Sequence, residues 1–212
     1  MTTYIPPDNN DIQLIYADEY LLAVNKPAGL LSVPGRGTDK QDSLISRVQK
    51  AFTDALIVHR LDMATSGLLV LARGSAMQRR LSGLFRERLV AKFYVAIASG
   101  KMASECGEIN LPIAADWQNR PRRRIDEKLG KPSLTRYRVL LRNDDKTRVA
   151  LEPVTGRTHQ LRVHLLAIGH PIVGDALYGE QPAERLMLHA HELDFVHPVT
   201  GRRMRLISEP PF

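Results

Sequence analysis

One cysteine, Cys106, is all that 212 residues contain, which excludes an internal disulfide and any zinc site built on several thiolates. So little thiol suits a reducing compartment. No apolar run approaches the roughly 20 residues that a membrane-spanning helix needs. Met1 to Asp8 lacks both the basic and the apolar stretch of a secretory signal, so a cytoplasmic location is expected, with no membrane partner. Repeats, low-complexity tracts, linkers and metal or nucleotide signatures are missing too, and the length favours one domain over residues 1–212. Acids are outnumbered: Asp and Glu total 23 against 30 Lys and Arg, a net charge of +7. Such a balance attracts a polyanion, whether RNA, DNA or an anionic membrane, but equally fits an ordinary basic enzyme.

What is present reads as short strands and a few helices. Ile12 to Tyr16 and Leu21 to Asn25 flank a polar turn and predict an opening hairpin. Lys26-Pro27-Ala28-Gly29 has the spacing of a type II turn, and Val33 to Gly37 continues as a loop. Asp42 or Ser43 can cap a helix burying Leu44, Ile45, Val48 and Phe52, and a longer helix is expected over Ser75 to Leu89, with Met77, Leu81, Leu84 and Phe85 on one stripe. Lys92 to Ala98, Leu134 to Leu141, Arg148 to Pro153 and Leu186 to Phe195 read as strands, and a helix from about Thr158 is stopped by Gly169 and Pro171. The mixture predicts an α+β fold, helices on a mixed, mainly antiparallel sheet.

Four constellations can carry chemistry. His59-Arg60-Leu61-Asp62 lies between the apolar runs Ala55 to Val58 and Leu68 to Ala72, with Thr65 and Ser66 beyond it. Asp62 is there either a carboxylate nucleophile beside a cation and hydroxyl donors or a turn residue capping backbone amides. Thr155 to His164 opens the third helix, where Arg162 and His159 are three residues apart and share a face that can grip a carboxylate or a phosphate, or simply lie in solvent. Asn119-Arg120-Pro121-Arg122-Arg123-Arg124, behind Trp117, is a dense basic loop suited to single-stranded RNA, where guanidinium groups meet phosphates and an indole stacks on a base. His189 and His191 share a strand face and with Asp175 suggest a metal only weakly.

Taken together, His59-Arg60-Leu61-Asp62 with Thr65-Ser66-Gly67, Lys26-Pro27-Ala28-Gly29, Lys92-Phe93-Tyr94, Gly156 to His164, Gly169 to Asp175 and Leu186 to Ala190 resemble the RluA family of RNA pseudouridine synthases. The resemblance implies a sheet with a central RNA-binding cleft and isomerisation of a flipped-out uridine to pseudouridine, with no metal or organic cofactor. It implies that Asp62 is the catalytic carboxylate, that Tyr94 packs on the target base and serves a proton transfer, and that Arg162 pairs with Asp62. Leu188 would lie beneath the uracil and Arg60 would fill the space the flipped base leaves, with His59, Arg157, Arg120, Arg122, Arg123 and Arg124 as further RNA contacts. Most of the family has a charged pair after the aspartate. Met63-Ala64 stands here instead, a variant associated with action on both the tRNA anticodon loop and a 23S rRNA hairpin. Too few residues precede the first strand for the S4 domain of larger members, and a monomer is expected.

Three readings stay open: this enzyme, with both RNAs or rRNA alone as substrate; a non-catalytic RNA-binding protein in which Asp62 is a turn residue; and a metal-dependent phosphoesterase built on His189, His191 and Asp175.

Overall fold

A computed structural model describes residues 4–8 and 12–212. Met1 to Thr3, on which part of the expectation about a secretory signal rests, lie outside the described residues. In chain order the strands are β1 (Gln13–Ala17), β2 (Leu21–Lys26), β3 (Ala55–Ile57), β4 (Ser66–Arg73), β5 (Ala91–Ser99), β6 (Cys106–Asn110), β7 (Ile113–Ala115), β8 (Arg123–Ile125), β9 (Leu134–Arg142), β10 (Lys146–Pro153), β11 (Leu188–Val196) and β12 (Arg203–Ile207). The helices are α1 (Leu44–Val48), α2 (Ser75–Arg86) and α3 (Gln160–Ala167). The chain divides into two compact units, one running to Ala91 and including His189–Pro211, the other holding Lys92–Leu188 with Phe212.

In the first unit β4 is the organising strand. It runs antiparallel to β2 from Leu21↔Ala72 to Lys26↔Gly67, antiparallel to β3, and parallel to β11 at His189↔Ser66 and Ala190↔Gly67. Neighbours on both edges leave Ser66 to Ala72 buried throughout, which is why Leu68-Leu69-Val70-Leu71 is a continuous apolar run instead of an alternation. Met77 and Leu81 of α2 pack with Leu68, Val70, Leu193 and Phe195 into one core, with Leu84 and Phe85 against its edge. Truncating one such leucine to alanine costs about 2–5 kcal/mol. The arginines of this helix are exposed.

The second unit has the antiparallel order β5-β10-β9-β6 and a separate β7–β8 hairpin, with α3 packed against β8, β9 and β10. β10 alternates, burying Thr147, Val149, Leu151 and Pro153. The architecture is α+β, and among the described residues the pairings within the units are antiparallel except that of β4 with β11. Among the described residues no helix is long and apolar enough to cross a membrane.

Several expected boundaries move. Phe52 falls outside α1, which ends at Val48, and α2 stops at Arg86, before Leu89. Ser43, not Asp42, caps α1, its side chain accepting from the Ser46 amide in a reciprocal capping box. The third helix begins at Gln160, because His159 is left-handed at φ +57°. His159 therefore precedes the helix and does not share its face with Arg162.

Candidate active site

The Asp62 loop joins β3 to β4, and its position is set from several sides. Ser32 brackets the residue before Asp62: its Oγ donates to the Leu61 carbonyl at 2.8 Å and accepts the Leu61 amide at 3.2 Å. Met63, on the other side, is held by its carbonyl, which accepts from the Gly29 amide at 2.9 Å and from Lys26 Nζ at 3.0 Å. Lys26 is fully buried, and its ammonium also donates to the carbonyls of Pro27 at 2.8 Å and Leu30 at 2.7 Å. A buried cation is tolerable only when hydrogen-bonded in this way. The Lys26-Pro27-Ala28-Gly29 turn, with Gly29 at φ +83°, is thus a clamp on the loop, a role its turn-like spacing did not reveal.

The loop's two ends are fastened as well. The His59 ring stacks on Phe85 with centroids 4.2 Å apart, and its Nε2 accepts the Val70 amide at 2.9 Å. After Asp62 the turn closes through the main chain, Thr65 N–H donating to the Asp62 carbonyl at 3.1 Å. Ser66 Oγ then bonds buried His189 Nδ1 at 2.7 Å. Gly67, at φ +112°, lies so close to β11 that a Cβ would stand 2.3 Å from the Ala190 carbonyl oxygen. Asp62 itself is half-buried and Arg60 exposed, which suits a carboxylate that reacts and a guanidinium that reaches outward.

In the second unit Tyr94 is half-buried on β5, in register with Leu151 of β10, and Leu188 is buried at the start of β11. Arg162 is 5% exposed on α3. Buried Asp175 holds it bidentately, Nε donating to Oδ2 and Nη2 to Oδ1, both at 2.7 Å. Asp175 is held in turn by the amides of Leu177 at 2.9 Å and Tyr178 at 3.2 Å. This carboxylate partner was not foreseen. Its signal was an acid in the apolar stretch Ile172-Val173-Gly174-Asp175 with a cation on the helix that precedes it.

The arginine cluster is not one free basic loop. Arg120 lies over Trp117 at 3.9 Å from the ring, and Trp117 is 71% exposed. Arg122 lies over Tyr178 at 5.4 Å, Arg123 belongs to β8, and Arg124 pairs with Asp126 at 2.9 Å. Arg157, half-buried, donates from Nε to the Pro132 carbonyl at 3.4 Å. Among the described residues no group of three or more His, Cys, Asp or Glu could hold a metal ion. His189 Nε2 bonds Ser208, His191 Nδ1 bonds the Ser208 carbonyl, and Asp175 serves Arg162, so all three residues of the phosphoesterase reading have other work.

Comparison with known proteins fits this arrangement. The RNA pseudouridylate synthase family model matches residues 20–167. The "Dual-specificity RNA pseudouridine synthase RluA" of Haemophilus influenzae is 49% identical over 214 residues, covering 99% of this chain and 98% of its own. The protein of the same name from Escherichia coli K12 is 46% identical, covering 100% and 99%. Among solved structures, human RNA Pseudouridylate Synthase Domain Containing 1 superposes with a TM-score of 0.82 at 32% identity, covering 98% of this chain and 87% of that one. The chain therefore belongs to the RNA pseudouridylate synthases, an isomerase class acting on RNA, and within them to the RluA family.

Proposed function

We propose that this chain isomerises uridines in two RNAs, the tRNA anticodon loop and a 23S rRNA hairpin, with Asp62 as the reacting carboxylate. The observation that carries the substrate half is near-full-length likeness to relatives named for dual specificity, at 44% to 49% identity. Asp62, fixed through both of its neighbours, carries the chemical half. The target nucleotide must leave its stack at a cost of roughly a few kcal/mol, less in a loop than in a duplex. Exposed Arg60 offsets part of this by taking the vacated space. The C1′–N1 bond then breaks, the retained uracil turns, C1′ bonds to C5, and the C5 proton departs, while N1 gains one.

Tyr94 is assigned to pack on the uracil and to handle that proton, Leu188 to lie beneath the ring, and Arg162 to pair with the reacting carboxylate and orient it. The arginines around Trp117, with Arg157, are assigned to the RNA backbone and to unpaired bases. The reading treats 1–212 as one catalytic domain, a cytoplasmic monomer working where both RNAs are found.

Tritium release from C5-labelled uridine in tRNA and rRNA transcripts tests it. Wild type should release label from both RNAs, and Asp62→Asn should lose on the order of 10³-fold or more from both, as removal of a reacting group does. Release by the Asn variant at the wild-type rate would leave Asp62 a turn residue. Release from rRNA alone would keep the chemistry and end the dual specificity.

A further inference from the structure

We infer that Tyr178 is a positioning residue that supports the arginine hairpin and the Arg162 guanidinium at once; the inference rests on the roles proposed above for those arginines. Tyr178 is 5% exposed, and its ring forms a small core with Ile113 of β7 and Val163 of α3, Ile125 of β8 packing against it. This cluster is where the hairpin meets the helix. The hydroxyl accepts the main-chain amide of Arg123 at 2.7 Å and is hydrogen-bonded to His159 Nδ1 at 2.7 Å. One oxygen thereby ties the first residue of β8 to the residue that precedes α3.

The ring does separate work. Arg162 sits over it at 5.0 Å and Arg122 at 5.4 Å from the centroid, so an aromatic surface attracts both cations. Tyr178 also supplies, through its own amide, a hydrogen bond to the Asp175 carboxylate that grips Arg162. Two guanidinium groups with different assignments, one toward RNA and one toward the chemistry, are thus seated on a single side chain. The hydroxyl serves the main chain of the hairpin, and the ring serves the guanidinium groups of Arg162 and Arg122.

That division is what an experiment reads. Tyr178→Phe keeps the ring and removes the hydroxyl. With a labelled tRNA stem-loop it should raise KM by about fivefold, the scale of one net hydrogen bond, and leave kcat within about twofold. Tyr178→Leu removes the ring as well and should lower kcat by about tenfold or more, because Arg162 loses a face that orients it. In an Arg122→Ala/Arg124→Ala background, Tyr178→Phe should add nothing further to KM. The proposal is overturned if Tyr178→Phe leaves KM at the wild-type value, if the KM effects add in the triple variant, or if the Phe and Leu variants share one kcat. Arg162→Lys separates this from the underlying reading: full activity of that variant removes the catalytic role of Arg162 whatever Tyr178 does, whereas loss of activity with an unchanged Tyr178→Phe removes the support alone.

Discussion

The Asp62 loop and the arginine hairpin are held in opposite ways. The loop is fixed through its main chain: Leu61 at Ser32, Met63 at Lys26 and Gly29, Thr65 on Asp62 itself. The arginines hang on two three-residue strands, β7 and β8, and their side chains rest on Trp117, Tyr178 and Asp126. Main-chain fixing sets where a residue stands whatever its side chain does, the condition for holding a reacting group within about 0.5 Å. Side-chain perches on aromatic faces are redrawn when a phosphate or a base arrives, which suits a grip on a flexible polyanion. One molecule therefore separates precision from reach.

Lys26 is where the comparison breaks most severely. Lys26→Met keeps the apolar stem and deletes a cation that serves the carbonyls of Pro27, Leu30 and Met63. Buried carbonyls left unsatisfied cost about 1–3 kcal/mol each, and a misplacement of about 1 Å at a reacting group costs about 10²-fold. The variant should melt at a lower temperature and lose about that factor in kcat, with KM for RNA little changed. An effect on KM alone would show that this clamp does not set the loop.

The hairpin predicts the converse pattern, and a smaller effect. Arg122→Ala/Arg124→Ala should raise KM with kcat intact, and should flatten the dependence of log KM on log salt by about 0.7 for each phosphate of a single strand that the arginines no longer neutralise. A fall in kcat of the size expected at Lys26 would erase the distinction between the two regions.

How far the sequence foretold these regions follows from the range of the interactions that build them. β9, β10 and α2 were legible because local periodicity reports which face is buried, and β2 and β4 because a short apolar run bounded by turn residues marks a buried strand. α3 was misplaced by two residues for a tertiary reason. Gln160 accepts from the Arg157 amide and the Thr155 hydroxyl and donates to the Leu134 carbonyl on β9, so a strand 26 residues away helps set the helix start. The start of β8 was read as part of a basic loop and β7 was passed over because three-residue strands carry almost no alternation, and charged Arg203-Met204-Arg205 hid β12. At the site, Asp62 and Arg162 were visible as residue types in motifs. Their holders were not: Ser32 is 29 residues from Leu61, Lys26 is 37 from Met63, and Asp175 is 13 from Arg162.

The smallest effect is one of pH, and it separates the regions by stability instead of rate. His164, fully buried on α3, bonds the Leu111 carbonyl through Nε2 and the Thr135 hydroxyl through Nδ1, each at 2.9 Å. Burial pushes its imidazole below the ordinary 6.5, opposed in part by the hydrogen bond with Leu111. As pH falls, the unfolded chain takes up this proton before the folded one does. Stability from this group is therefore complete above about pH 6.5 and drains away below it, by at most about 1.4 kcal/mol per pH unit. His164→Gln keeps a donor and an acceptor without a titrating ring. Between about pH 7.5 and 5.5, urea unfolding midpoints should show wild type losing about 1 kcal/mol more than the Gln variant. Amide exchange on α3, which carries Arg162, should quicken in acid in wild type only, while the amides of Leu61 to Ser66 respond alike in the two proteins. Equal acid sensitivity of both would mean that His164 is not the titrating weak point of the helix.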